Sequence, residues 1–151
     1  RRIEKITLDG PGSIVSYVHN SVSENLGKIA VILSLKSNAN QNSLENIGKK
    51  IAMHIAASNP LAITKENIDK SIVDKELEII KAEIINSGKP TEMAEKISKG
   101  KITKFLNENS LLEQIWIMDP KKKVSEILNE NSLEKPLQIL DFIRYKVGEG
   151  I

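Results

Sequence analysis

Val73, Leu77, Ile80 and Ile84 step by four, three and four positions through a stretch that is otherwise largely Lys, Asp and Glu. That spacing is the narrow seam of two helices packed on each other, and it is too narrow a stripe to seat a helix on a sheet. Ser87–Gly88–Lys89–Pro90 interrupts it. Gly88 suits the position just past a helix end, and Pro90 suits the first position of the next helix. Helical spacing then resumes from Thr91 to about Asn107, carried by Met93, Ile97, Ile102, Phe105 and Leu106. So short a break sends the second helix back along the first. The segment from Thr64 onward is therefore expected to be an antiparallel helical hairpin with Lys/Glu flanks turned to solvent.

The sequence on either side has a different period. Arg2–Leu8, Ser13–His19 and Lys28–Lys36 read as strands, with Asp9–Gly10–Pro11–Gly12 as a turn and Asn20–Gly27 as a polar connection. Val15, Tyr17 and His19 share one face of the second of these. Lys28–Lys36 is apolar on both faces and should lie centrally. A helix capped by Asn42 or Ser43 should run to Ser58, with Leu44, Ile47, Ile51 and Ile55 on one side and Asn59–Pro60 ending it. Asp119 and Pro120 read as N-cap and first residue of a helix through Leu128. A loop, Asn129–Pro136, then leads to a long strand, Leu137–Val147. The expected fold class is α+β: an antiparallel sheet of three to four strands with helices packed on it, and an inserted helical hairpin. The expected core subdomain is 1–62 with 112–151, and the expected insertion is 63–111.

The sequence offers little covalent chemistry. It has no cysteine, which excludes disulfides, thiolate metal sites and cysteine nucleophiles, and which fits a cytoplasmic location. The two histidines, His19 and His54, stand in different elements. His54 lies at the edge of an apolar helix face and reads as a partly buried structural residue. Gly10, Gly12 and Gly27 form neither a phosphate loop nor a dinucleotide fingerprint. Carboxylates on the hairpin (Asp69, Asp74, Glu76, Glu78, Glu83) alternate with Lys70, Lys75 and Lys81, the pattern of a solvated helix. No catalytic residue, metal site or cofactor is expected.

Net charge is +2 and aromatics are 3% of the chain. An RNA-binding module, the alternative suggested by Lys96, Lys99, Lys101 and Lys104, thus lacks both field and stacking surface. No apolar run approaches the ~20 residues that span a bilayer. Lys121–Lys122–Lys123 would open a helix where its dipole disfavours cations, which hints at an electrostatic contact or is plain solvated surface. The opening Arg1–Arg2–Ile3 and the ending Gly148–Glu149–Gly150–Ile151 suggest a piece of a longer protein.

Two places invite a partner. Tyr17 and His19 share a strand face beside a polar turn, as an exposed contact patch would, although a loop histidine of no consequence fits too. Met53 points about 160° from Ile51 at ~3.6 residues per turn. It packs either against the hairpin or the Asp119–Leu128 helix, or it offers apolar surface to another protein.

Taken in order, Ser16–Tyr17–Val18–His19, Lys28–Ile29–Ala30–Val31–Ile32, Ile51–Ala52–Met53–His54–Ile55–Ala56–Ala57 with Pro60, Ser87–Gly88–Lys89–Pro90 and Arg144–Tyr145–Lys146–Val147–Gly148–Glu149–Gly150–Ile151 resemble successive motifs of the elongation factor Ts family. The resemblance spans essentially the whole chain and matches the second of that family's two related core halves. It implies a factor that binds elongation factor Tu and speeds GDP release by distorting the nucleotide site. The hairpin would correspond to the family's coiled-coil or dimerisation module, through which self-association is possible. The second half would dock on a β-barrel domain of elongation factor Tu, with a histidine matching His19 in the contact. Tyr17, His19, Asn20, Lys28 and Met53 are the expected partner-binding residues; neither membrane nor nucleic acid is expected. The chain departs from the family pattern by lacking the Thr-Asp-Phe-Val motif of the first half, and it carries Ala30 where Gly is usual. Binding without full exchange activity is the expectation.

Overall fold

A computed structural model describes residues 2–88, 91–132 and 135–150, with the backbone alone at residues 91 and 92. In chain order the elements are β1 (Gly12–Ser23), β2 (Leu26–Lys36), α1 (Gln41–Ser58), α2 (Lys70–Asn86), α3 (Thr91–Asn109), α4 (Val124–Asn131) and β3 (Gln138–Lys146), with short 3-10 turns at Lys65–Asn67 and Leu111–Glu113. They form an α+β arrangement. The chain divides into two compact units, Arg1–Asn59 with Ile115–Ile151, and Pro60–Gln114.

In the first unit the strands make one antiparallel sheet of three strands in the order β1-β2-β3. As expected, β2 is central. Its register sets Val15 against Leu33 and Tyr17 against Val31 on one side, and Val31 against Arg144 and Leu35 against Ile139 on the other. Val15, Val31, Leu33, Leu35 and Ile139 are buried on the face that meets Leu44, Ile47, Ile51, Ala52 and Ile55 of α1. Helix and sheet approach closely at Gly48, where a Cβ would stand 2.6 Å from Val15 Cγ2. The opposite face is only partly covered: Ile14 is 47% and Ile32 37% exposed. β2 is thus central through its two ladders and not through burial on both faces.

Several boundaries differ from the sequence expectation. Arg2–Leu8 is not a strand; its contacts are made by side chains, with Glu4 accepting a hydrogen bond from the Tyr145 hydroxyl at 2.5 Å. β1 runs past His19 to Ser23, so that the expected eight-residue connection shrinks to Glu24–Asn25, with Asn25 at φ 59°. A left-handed Asn suits so short a hairpin turn. The cap of α1 is Asn40, whose Oδ1 accepts from Ser43 N at 2.8 Å, two residues ahead of the expected Asn42.

The helix expected at Asp119 begins instead at Val124. Asp119 closes a turn, its Oδ1 accepting from Lys121 N at 3.1 Å and its carbonyl from Lys122 N at 3.1 Å. Glu126 then accepts from Lys123 N at 2.6 Å. The lysine run therefore ends at the N-cap, Lys123, and the Glu126 carboxylate in the first turn offsets the cations beside the positive pole. Lys122 pairs with Glu130 at 2.6 Å, and that hydrogen bond raises its pKa above the usual lysine value.

In the second unit α2 starts at Lys70, later than the expected Thr64, because residues 65–67 make a 3-10 turn and Asp69 caps the helix by accepting from Ser71 N at 2.7 Å. Ile80 and Ile84 are buried, while Val73 and Leu77 are half-buried. Gly88 adopts φ 65°, as its place past a helix end requires; Lys89 and Pro90 lie outside the described residues. Lys101 of α3 pairs with Glu83 of α2, and Leu61 N donates to Asn109 O at 2.9 Å, so α3 runs back along α2. Met93, assigned to the helical stripe, is instead 57% exposed. At the base, Leu111 N bonds to Ala62 O at 2.9 Å and Leu112 N to Ile63 O at 3.1 Å.

Candidate partner-binding surface

The Tyr17 hydroxyl lies 2.9 Å from His19 Nδ1, and the two rings are 6.0 Å apart at 41°. Both side chains project from the face of β1 that carries Val15, since residues two apart in a strand share a face. Val15 is buried, Tyr17 half-buried and His19 exposed. The gradient arises because α1 ends at Ser58 while β1 continues. Tyr17 lies in one row with Val31 and Arg144, and His19 in the next with Ile29 and Lys146. Arg144 donates from Nε and Nη2 to the Ala56 carbonyl, each at 3.3 Å, which marks where the last turn of α1 crosses the sheet.

Asn20 and Lys28 flank His19 at this end of the hairpin. Asn20 is exposed and left-handed at φ 51°. Opposite it the strands crowd: a Cβ at Gly27 would stand 2.5 Å from Val18 Cγ1 and 2.8 Å from His19 O. Only glycine allows β1 and β2 to stay paired here. Lys28 is exposed, and its carbonyl accepts from Val147 N at 2.9 Å. Tyr17 and His19 thus form one patch, while Asn20 and Lys28 stand at the same end of the hairpin, Lys28 on the sheet face opposite to Ile29 and His19.

Met53 belongs to another part of the same unit. It is 38% exposed, less covered than a packed-in reading requires. Its neighbour His54 is fully buried, stacked on Trp116 with centroids 5.2 Å apart, and its Nδ1 accepts from Ile117 N at 3.3 Å. His54 is structural, as its place on α1 suggested, and more deeply buried than expected. It fixes the segment after Gln114 against α1.

That segment presents Ile115, Ile117 and Met118 at 55%, 45% and 44% exposure. Sequence reasoning passed over these apolar side chains. The signal was the run Ile115–Trp116–Ile117–Met118 before Asp119–Pro120: four apolar residues in a short connection, with Trp116 turned in and its neighbours out.

On α3, Lys101 and Lys104 are engaged with Glu83 and Glu108, so half of the lysines behind the RNA alternative are ion-paired. Among the described residues no group of acidic or histidine side chains could hold a metal ion, and no helix is long and apolar enough to cross a membrane.

Comparison with known proteins places this α+β unit and its helical insertion in one class, that of translation elongation factors. A family model described as elongation factor TS matches residues 1–149. The elongation factor Ts of Erythrobacter litoralis is 39% identical over 153 residues, covering 100% of this chain and 49% of that protein. That of Orientia tsutsugamushi is 43% identical over 120 residues, covering 80% of this chain and 39% of the relative. That of Nitrobacter hamburgensis is 42% identical over 142 residues, covering 93% and 46%. The chain belongs to the elongation factor Ts family. It spans about half the length of the curated relatives it matches.

Proposed function

We propose that this chain is the C-terminal half of an exchange factor, that it binds elongation factor Tu, and that it acts by that binding without covalent chemistry. The observation that carries the reading is the Tyr17–His19 pair, hydrogen-bonded at 2.9 Å and left uncovered where β1 outruns α1. A polar aromatic pair on a strand, with Tyr17 half-buried and His19 exposed, suits a protein contact. Asn20 and Lys28 extend it, and Met53 with Ile117 and Met118 offers apolar surface elsewhere in the same unit. The partner is supplied by the family. Its place in translation makes the location cytoplasmic.

The groups that in the family disturb the partner's magnesium and phosphates stand in the half that this chain does not span. Asp141–Phe142 is no substitute, because both sit within β3 and face opposite sides of the sheet. The chain should therefore dock with little preference between nucleotide states, and such a ligand shifts no equilibrium.

The test is titration of elongation factor Tu with the chain and with His19→Ala. The variant should bind about 2 kcal/mol more weakly, as a central contact does, with a melting temperature close to that of the unaltered chain. Unfolding of His19→Ala with binding spared would reverse the reading.

A second copy as partner of the 63–111 module is favoured by Ile79, Ile85 and Met93, which are 53%, 76% and 57% exposed on α2 and α3. Sedimentation should then show a concentration-dependent dimer that Ile85→Lys abolishes. A strict monomer at every concentration excludes it.

A further inference from the structure

Helix α1 ends with an electrostatic deficit. No basic residue stands in its last turn, although the carbonyls of that turn form the negative end of the helix. The left-handed Asn59 returns its N–H to Ile55 O at 3.0 Å, so this cap serves Ile55 and not Ala56. A strand supplies the cation. Arg144 of β3 sends Nε and Nη2 to the Ala56 carbonyl at 3.3 Å each, and Nη1 to the Glu149 carboxylate at 3.1 Å. Its side chain is 8% exposed. A charge so far withdrawn from water must be matched by nearby acceptors, and these two groups do that. Glu149 is held in turn: its carbonyl accepts from Arg2 Nη2 at 3.0 Å, while the Arg2 guanidinium lies 4.7 Å from the centroid of the Tyr145 ring.

The place of this clamp gives it a role beyond local pairing. Arg144 stands opposite Val31, and Val31 opposite Tyr17. The guanidinium therefore pins the last turn of α1 in the same row as Tyr17, next to the row of His19. We infer that Arg144, restrained by Glu149, is a positioning residue for the docking end: it sets the last turn of α1 against the Tyr17–His19 pair before any partner arrives. This rests on the reading that the chain binds elongation factor Tu. A surface formed only part of the time binds with an affinity reduced by that fraction. Loosening the clamp weakens binding although Arg144, nearly buried, is itself no contact.

The test compares dissociation constants for elongation factor Tu, measured well below each melting temperature. Arg144→Met keeps the aliphatic stem and should bind about tenfold more weakly, through faster dissociation. Glu149→Gln should lose about threefold. Ile139→Ala is the control: Ile139 is a buried β3 residue opposite Leu35, towards the far end of the sheet. It should lower the melting temperature yet bind within about twofold of the unaltered chain. Amide exchange at Ala57, Ser58 and Asn59 should quicken in Arg144→Met and not in the control. Should Arg144→Met fail to fold, Arg144→Lys replaces it and should give an intermediate loss, since an ammonium cannot span both acceptors. Arg144→Met or Arg144→Lys binding as tightly as the unaltered chain, or losing no more than Ile139→Ala, overturns the inference. If the unaltered chain does not bind at all, the docking reading falls first and takes the inference with it, and that outcome is read from the first titration alone.

Discussion

Leu33, Leu35, Ile51 and Ile55 of the first unit have no solvent exposure, whereas no described side chain of α3 in the second unit is buried. The residue types are similar; the enclosure is not. In the first unit a sheet face and a helix face close on each other over several turns. In the second, α2 and α3 share a seam in which only Ile80 and Ile84 are buried on α2, and the base is joined by the backbone bonds of residues 61–63 with 109–112. Burial of apolar area is the main stabilising term. The comparison therefore teaches that the sheet unit should behave as a rigid scaffold and the helical unit as a module that opens at lower free energy.

The largest expected effect is on the scaffold. Ile51→Ala removes a fully buried side chain between α1 and the sheet and should cost about 4 kcal/mol in denaturant unfolding. The same change at Ile84 on the hairpin should cost only ~2 kcal/mol, because one side of the seam can relax towards solvent. Its increase in amide exchange should be confined to α2 and α3. Equal costs, or exchange that quickens throughout β2, would show that the two units unfold as one.

A smaller effect of opposite sign is expected at Gly100 inside α3, where an added Cβ meets nothing within 4 Å. Gly100→Ala should stabilise the helical unit by about 0.5–1 kcal/mol, read as slower exchange in α3 with no change in β1 or β2.

The smallest effect is a pH dependence. The Asp69 carboxyl is held below the usual aspartate range by the Ser71 side chain first and by the Ser71 amide second. A lowered folded-state value means that this cap's contribution is present above the ordinary aspartate pKa and lost as pH falls through the lowered one. Helicity of α2 should then decline as pH falls below the ordinary aspartate range in the unaltered chain, while Asp69→Asn, which caps without titrating, should lack that component. Identical acid profiles would remove Asp69 from the account.

Most of this contrast could be read in the residues. The periods of two and of about four separated sheet from hairpin, and Gly88, Asn59 and Pro60 marked helix ends correctly, because such local rules need no tertiary information. The misreadings have local competitors. Asp119–Pro120 looks like a helix start, yet the Asp119 side chain satisfies Lys121 N in a turn, and the helix starts where the Glu126 carboxylate accepts from Lys123 N. Arg2–Leu8 has strand-like residues but pairs through Arg2, Glu4 and Tyr145 side chains. Of the candidate surface, Tyr17 and His19 were visible as one strand face. Arg144 and the outward Ile117 and Met118 were not, since neither a strand residue's reach to a helix carbonyl nor the orientation of a short apolar connection is periodic.

The central claim is that the sheet unit docks on elongation factor Tu through the end that carries Tyr17 and His19. It is tested most directly by competition. Release of a fluorescent GDP analogue from elongation factor Tu would be followed by stopped flow at a fixed concentration of a full-length elongation factor Ts, with this chain titrated in. The account predicts that the release rate falls towards the unstimulated value as the chain occupies the shared surface, and that His19→Ala requires roughly 30-fold more chain for the same fall. A release rate unmoved by the chain would contradict docking. A rate that the chain alone raises to the full-length value would contradict the assignment of docking and nucleotide release to different halves.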